Sequence, residues 1–365
     1  MLQRRQYGKK LPAFVLNSET FIVLFCAIKV FSYCFNSLLH IIIYGVKFMD
    51  YFLNLVFLIL GFFLLVKGAD FFVDGSSSIA KLMKIPAVII GLTIVSIGTS
   101  LPEAAVSITS SLQGSYDLSI ANVVGSNIFN TLMVIGFSAI ICPFVIDRMI
   151  MKRDFPICIA MSVLLAFMLS DNTLSRAEAV VLFAFFVLYI IMLVLSALKS
   201  REDSADDIKA LSPLKSVLFI LIGAAGIIAG GQFTVNSAKF FAAAFGMSEL
   251  LIGLTVVAVG TSLPELVTSI VAAKKGESEI ALGNVIGSNI FNILFILGMS
   301  GIVHPLSCDS GAFTDTLILI SICILMYVAC KTKDTVSRAE GFICVLIYVL
   351  YVFFAILRAY NMLPF

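Results

Sequence analysis

Residues 91–136 read GLTIVSIGTSLPEAAVSITSSLQGSYDLSIANVVGSNIFNTLMVIG, and residues 253–298 read GLTVVAVGTSLPELVTSIVAAKKGESEIALGNVIGSNIFNILFILG. The two stretches align without a gap at an offset of 162 residues. Each carries one glutamate, Glu103 and Glu265, in the same Gly-Thr-Ser-Leu-Pro-Glu setting inside strongly apolar sequence. An acid within a membrane span is costly and is a functional-site signal by default. Its repetition at the same place in each half of a chain argues strongly against accident.

The chain has 365 residues, of which 60% are hydrophobic and only 13% charged. A soluble domain cannot bury that much apolar surface, so the composition specifies an all-α polytopic membrane protein. The formal net charge of +2 gives no sign of a nucleic-acid partner. The eight cysteines are scattered through apolar runs without metal-binding spacing, and they read as small hydrophobes in helices. His40 and His304 are too few and too far apart to form a metal site.

Apolar stretches of helical length predict ten core spans, near 52–80, 86–112, 118–141, 155–170, 176–198, 214–243, 248–273, 280–303, 313–330 and 338–360. Each is long enough to cross a hydrocarbon layer of roughly 30 Å, some only when tilted. The offset of 162 persists outside the opening stretch: Ser175-Arg176-Ala177-Glu178 matches Ser337-Arg338-Ala339-Glu340, and Gly61 and Gly68 match Gly223 and Gly230. The repeat thus gives five spans per half. An odd number forces the second copy to enter from the opposite side, an inverted-topology repeat.

Loop charges agree with this count. Loops after the odd-numbered spans hold Lys81, Lys84, Arg148, Lys152, Arg153, Lys199, Arg201, Lys209, Lys215, Lys274, Lys275, Lys331, Lys333 and Arg338, against Arg176, Lys239 and Arg358 on the other side. The positive-inside rule makes the first side cytoplasmic and puts both ends of the ten-span core outside. Four segments follow: an N-terminal extension, 1–48, with an extra helix; a first transport repeat, 49–199; a cytoplasmic linker, 200–212; and a second transport repeat, 213–365. The extension is read as a real helix in preference to a signal peptide or an unused leader.

The motif then reads as chemistry. Ser96, Thr99, Ser100 and Glu103 share one helix face, and Pro102 has no N–H to give the carbonyl of Gly98. In lipid, freed carbonyls persist only where protein, water or an ion satisfies them. The second copy offers Thr255, Thr261, Ser262 and Glu265 around Pro264, with Ala258 in place of Ser96. The next span adds Asn122, Ser126 and Asn130 on one face, and its copy adds Asn284, Ser288 and Asn292. Such an all-oxygen set around two carboxylates suits Ca²⁺ and Na⁺ and disfavours copper or zinc. Two carboxylates balance one Ca²⁺ or two Na⁺, and an empty site is penalised by burial and mutual repulsion, which is the physical basis of obligatory exchange. Lys67, Asp70 and Asp74 read instead as a salt-bridged face, and Asn127 and Asn289 as either ligands or interhelical hydrogen-bonding groups.

The paired Gly-Thr-Ser-Leu-Pro-Glu and Gly-Ser-Asn-Ile-Phe-Asn segments resemble the α-repeats of the calcium/cation antiporter superfamily, most closely the compact prokaryotic sodium/calcium exchangers. The resemblance runs from about Met49 to the end of the chain. It implies a ten-helix bundle with central cation sites, one preferring Ca²⁺ and the others serving Na⁺. Carried over, the ligands are Thr99, Ser100, Glu103, Ser126, Asn130, Thr261, Ser262, Glu265, Ser288 and Asn292, with backbone carbonyls of Ser96 and Ala258. Several relatives carry aspartate where this chain has Asn292, which leaves two fixed acids and keeps the coupling ion open. The expected function is antiport of Ca²⁺ against Na⁺ in a prokaryotic inner membrane, with Ca²⁺/H⁺ or K⁺-dependent exchange as alternatives. A passive cation channel or an intramembrane hydrolase using the two glutamates are rivals of other classes. The reading requires no enzyme activity, no cofactor and no obligatory protein partner beyond the bilayer.

Overall fold

The computed structural model describes residues 18–114, 116–199, 210–246, 258–308, 310–333 and 335–359. The chain divides into two compact units, 1–54 and 55–365. Residues 18–48 are helical and belong to the first helix, α1, Ser18–Met83. The expected linker falls almost wholly on residues outside the described set, as do Thr255 and the start of the seventh predicted span.

After α1 come α2 (Ala87–Thr99) and α3 (Leu101–Leu112), then α4 (Tyr116–Ile141), α5 (Ile150–Asp171), α6 (Arg176–Lys199) and α7 (Pro213–Ala244). The second half continues with α8 (Ala258–Thr261), α9 (Leu263–Lys274), α10 (Ser278–Val303), α11 (Ser310–Lys333) and α12 (Arg338–Ala359). Among the described residues eight helices are long and apolar enough to cross a membrane, or nine if the bent pair α2–α3 is one span. The molecule is therefore a mostly helical integral membrane protein.

One predicted boundary was wrong. The fourth span starts at Ile150, not near Phe155, because a π-helical turn over Ile150–Asp154 carries the helix through three charged residues. Two of those charges neutralise each other: Arg153 Nε and Nη2 donate to Asp154 at 3.0 Å, and its Nη1 reaches Ser196 Oγ at 2.8 Å.

Glycines set the closest helix contacts. A Cβ added at Gly61 would meet Gly230 and Thr234, one at Gly68 would meet Gly223 and Ile227, and one at Gly75 would meet Ser216 and Ile220, all within 2.9 Å. Residue numbers rise along α1 while those of its partners fall, so α1 and α7 pack antiparallel, backbone against backbone. Two further contacts are related by the same offset of 162: Gly136 of α4 packs on Gly341 of α12, and Gly298 of α10 packs on Ala179 of α6.

Burial separates inside from outside. The apolar stretch of α10 is 94% buried, whereas that of α12 is only 17% buried and, like those of α1 and α6, leaves many of its apolar side chains exposed. Short strands tie the loops together. β1 (Phe144–Val145) pairs with β4 (Thr335–Val336), and β2 (Thr173–Leu174) pairs with β3 (Leu306–Ser307). Each ladder joins loops that the charge alternation assigns to one side.

Candidate cation site

The chain breaks stride at Ser100, between α2 and α3, which meet at 49°. Ser100 has φ −86° and ψ 8°, and Ser262 between α8 and α9 has φ −91° and ψ 6°. Both lie in the sparsely populated bridge region. The cause is local, since Pro102 and Pro264 two residues on supply no N–H to the turn before them. Each break opens a helix whose first turn holds the glutamate, near the positive end of that helix.

The two breaks interlock. Ser100 Oγ donates to Glu265 Oε1 at 2.7 Å, and Ser262 Oγ lies 3.1 Å from Glu103 Oε1. Ser262 also lies 3.0 Å from Ser126 Oγ. A hydroxyl has one proton, so Ser262 donates to the carboxylate and accepts from Ser126. Thr99 Oγ1 sits 3.0 Å from Asn284 Oδ1, and Ser288 Oγ lies 3.4 Å from the Ser96 carbonyl. The predicted groups thus meet across the two halves, and Glu103, Glu265, Thr99, Ser100, Ser262, Asn130, Ser288 and Asn292 are all fully buried.

The orphaned atoms show what the cluster lacks. Glu103 Oε2, Glu265 Oε2, Asn130 Oδ1 and Asn292 Oδ1 are buried with no hydrogen-bond partner among the described residues. Among the described residues neither glutamate has an ion pair, and no group of three or more His, Cys, Asp or Glu is placed to hold a metal ion. Buried oxygens without donors are expensive. A hard cation satisfies oxygens of this kind, and soft ligands are missing from the set.

Other predicted members are placed differently. Thr261 is buried in α8 and has a partner, whereas Ala258 opens that helix. The Ser96 carbonyl keeps its ladder bond from Ser100 N at 3.1 Å while also facing Thr99 and Ser288. Asn122 and Asn284 act as braces: Asn122 Nδ2 reaches Ser107 Oγ at 3.0 Å and the Glu103 carbonyl at 3.4 Å, and Asn284 repeats this with Ser269 and Glu265.

Sequence reasoning missed two things. Asn130 and Asn292 each open a π-helical turn, Asn130–Val134 and Asn292–Leu297, a feature common at functional sites. It also missed the partners in a lock beside them, where Asn127 and Asn289 take the interhelical hydrogen-bonding role that was one of their two readings. Asn292 Nδ2 donates to Asn127 Oδ1 at 3.0 Å, Asn127 Nδ2 to the Asn289 carbonyl at 3.1 Å, and Asn289 Nδ2 to Thr131 Oγ1 at 2.9 Å. Thr131, a lone hydroxyl in an apolar run, was the available clue. Asp70 and Asp74 form the predicted ion-paired face, with Lys67 at 3.4 Å from Asp70, but Lys275 is the stronger partner at 2.8 Å from Asp74.

Comparison with known proteins gives the family. The family model described as sodium/calcium exchanger protein matches twice, over residues 53–195 and 215–357. The chain belongs to the sodium/calcium exchanger family. It is 39% identical over 307 residues to the putative antiporter CaxA of Alkalimonas amylolytica, covering 81% of this chain and 96% of the relative. Sodium/calcium exchanger MaX1 of Methanosarcina acetivorans is 34% identical over 81% of this chain and 96% of its own length. Among solved structures, the sodium-calcium exchanger NCX_Mj soaked with Na⁺ and Sr²⁺ matches with a TM-score of 0.73 and 32% identity, over 82% of this chain and 98% of that one. Exchangers are transporters, and an intramembrane hydrolase has no support from any of these matches.

Proposed function

We propose that this exchanger-family chain moves Ca²⁺ against Na⁺ by alternating access at a site built around Glu103 and Glu265. The observation that carries the reading is the reciprocal pairing of Ser100 with Glu265 and Ser262 with Glu103, with Oε2 of both acids lacking a donor among the described residues. Thr99, Ser126, Asn130, Thr261, Ser288 and Asn292, with the carbonyls of Ser96 and Ala258, complete the proposed ligand set.

Charge balance gives the mechanism. Two carboxylates neutralise one Ca²⁺ or two Na⁺, and the emptied pair is penalised by burial and repulsion. Crossing is then favourable only with cations bound. A third Na⁺ per cycle makes exchange electrogenic, with about 2.3 kcal/mol per charge at 100 mV.

The architecture we assign is a ten-helix core of two inverted five-helix repeats, 49–199 and 213–365, preceded by an extension with an extra helix and joined by a cytoplasmic linker. The antiparallel packing of α1 on α7, its own counterpart, supports it, as does the twofold match of one family model. In this scheme the glycine-sealed α1–α7 pair moves as one body against the helices that hold the glutamates. Both core ends face out, and the membrane is a prokaryotic inner membrane.

The test is ⁴⁵Ca²⁺ uptake into vesicles loaded with Na⁺, with Na⁺, K⁺ and pH gradients imposed in turn. Uptake driven by outward Na⁺ supports the proposal. Uptake that follows a pH gradient and ignores Na⁺ replaces it with Ca²⁺/H⁺ exchange. Conductance without countertransport would make the protein a channel.

A further inference from the structure

Away from the glutamates, on the basic-rich side, a cavity of about 280 Å³ is lined by Arg148, Met151, Lys152, Tyr327 and Lys331. Three of its five walls are cations and none is an acid. Arg148, Lys152 and Lys331 have no carboxylate partner among the described residues, whereas neighbouring Arg153 is bound to Asp154. The nearest acid in sequence, Asp147, is turned to the start of α5, where its Oδ1 accepts from Met149 N at 2.7 Å and Ile150 N at 3.2 Å.

The fold brings these charges together from opposite halves. The β1–β4 ladder pairs Val145 with Thr335, and so fixes the segment before α5 beside the end of α11. Lys331 Nζ lies 5.8 Å from the centre of the Tyr327 ring, a cation–π contact that holds the lysine over the cavity. Exposed like charges gathered at one pocket repel only weakly through solvent, but together they attract an anion.

Position identifies the anion. The cavity lies where two membrane spans end, Ile150–Asp171 at its start and Gly311–Lys331 at its finish, so its mouth is at head-group level. One to two turns below Lys331, Ile324, Leu325 and Val328 are exposed on α11 and give acyl chains an apolar wall. We propose that this pocket binds the phosphate head group of an anionic phospholipid. Arg148 matches a phosphate with paired N–H donors, and Lys152 and Lys331 add point charges. Basic pockets between spans on the cytoplasmic side recognise such lipids. The inference does not depend on the transported ions.

The experiment is native mass spectrometry of the full chain in mild detergent, titrated with phosphatidylglycerol or phosphatidylcholine. The parent chain retains phosphatidylglycerol preferentially. The expected loss is about fivefold per cation removed, on the order of a hundredfold for the triple change Arg148→Gln, Lys152→Gln and Lys331→Gln. A control triple on the same side, Lys84→Gln, Lys199→Gln and Lys274→Gln, keeps the parent's retention. Lys331→Gln alone, at a helix end, gives the fivefold step if the triple variant does not fold. Equal loss in the control, no loss at Lys331, or displacement of the lipid by inorganic phosphate at matched concentration would overturn the proposal, the last in favour of a soluble anion.

Discussion

Glu103→Gln keeps the volume of the side chain and removes one charge. Glu103 is fully buried, accepts from Ser262 at 3.1 Å and has no cationic partner among the described residues, so nothing else at that point can replace the lost charge. Unit charges 4 Å apart at an effective dielectric of 20 interact by about 4 kcal/mol, hence about 8 kcal/mol for a divalent ion. That equals the whole binding free energy of a site with Kd near 1 µM, about 8.2 kcal/mol. If relief from burying a charge recovers half, about 4 kcal/mol remains, roughly a thousandfold in affinity. The amide can turn its oxygen to Ser262, so the fold should survive. The assay is ⁴⁵Ca²⁺ binding to purified protein together with uptake into proteoliposomes, and both should fall below detection at micromolar Ca²⁺. Glu265→Gln, held by Ser100, should do the same. A folded Glu103→Gln variant with full binding and exchange would refute the site and the charge argument together.

Other outcomes follow from the same geometry. Asp70→Asn should alter exchange only modestly, because its pairs with Lys67 and Lys275 are partly solvated and worth about 1 kcal/mol or less; uptake rates of variant and parent compare them. Gly68→Val should sharply lower the yield and thermal stability of folded protein, since even a Cβ there would lie 2.7 Å from Ile227 N, and detergent-solubilised melting curves measure this. Asn292→Asp should strengthen Ca²⁺ binding by adding a third acid, and it also breaks the amide donation to Asn127, so ⁴⁵Ca²⁺ competition by Na⁺ should change more than the folded yield. A smaller effect on competition than on yield would make Asn292 structural.

The repeat made much of this legible. The 162-residue offset named both glutamates, and Pro102 and Pro264 marked the turns where the structure breaks spans that the sequence drew as continuous, at Ser100 and Ser262. Charge alternation had already assigned to one side the two loops that each of the β1–β4 and β2–β3 ladders joins, though it gave no sign of the ladders themselves. What escaped the sequence depends on contacts between residues far apart in the chain. Nothing local links Lys275 to Asp74, or Asn289 to Thr131, because those pairs exist only once α1 meets the end of α9 and α4 meets α10. The π-helical turns at Asn130 and Asn292 also have no simple sequence signal, since they arise from how one turn accommodates its neighbours. The start of the fourth span was misplaced for a similar reason: Lys152, Arg153 and Asp154 look like loop until the Arg153–Asp154–Ser196 contacts are seen.

The central claim is that Ca²⁺ and Na⁺ compete for one buried two-glutamate cage. It is tested most directly by ⁴⁵Ca²⁺ uptake into proteoliposomes of the parent chain with an outward Na⁺ gradient, repeated after the gradient is collapsed and at both signs of membrane potential. The account predicts uptake that requires internal Na⁺, disappears without the gradient and accelerates when the vesicle interior is made positive, as it must if more positive charge leaves with Na⁺ than arrives with Ca²⁺. Uptake that is indifferent to Na⁺ would contradict it.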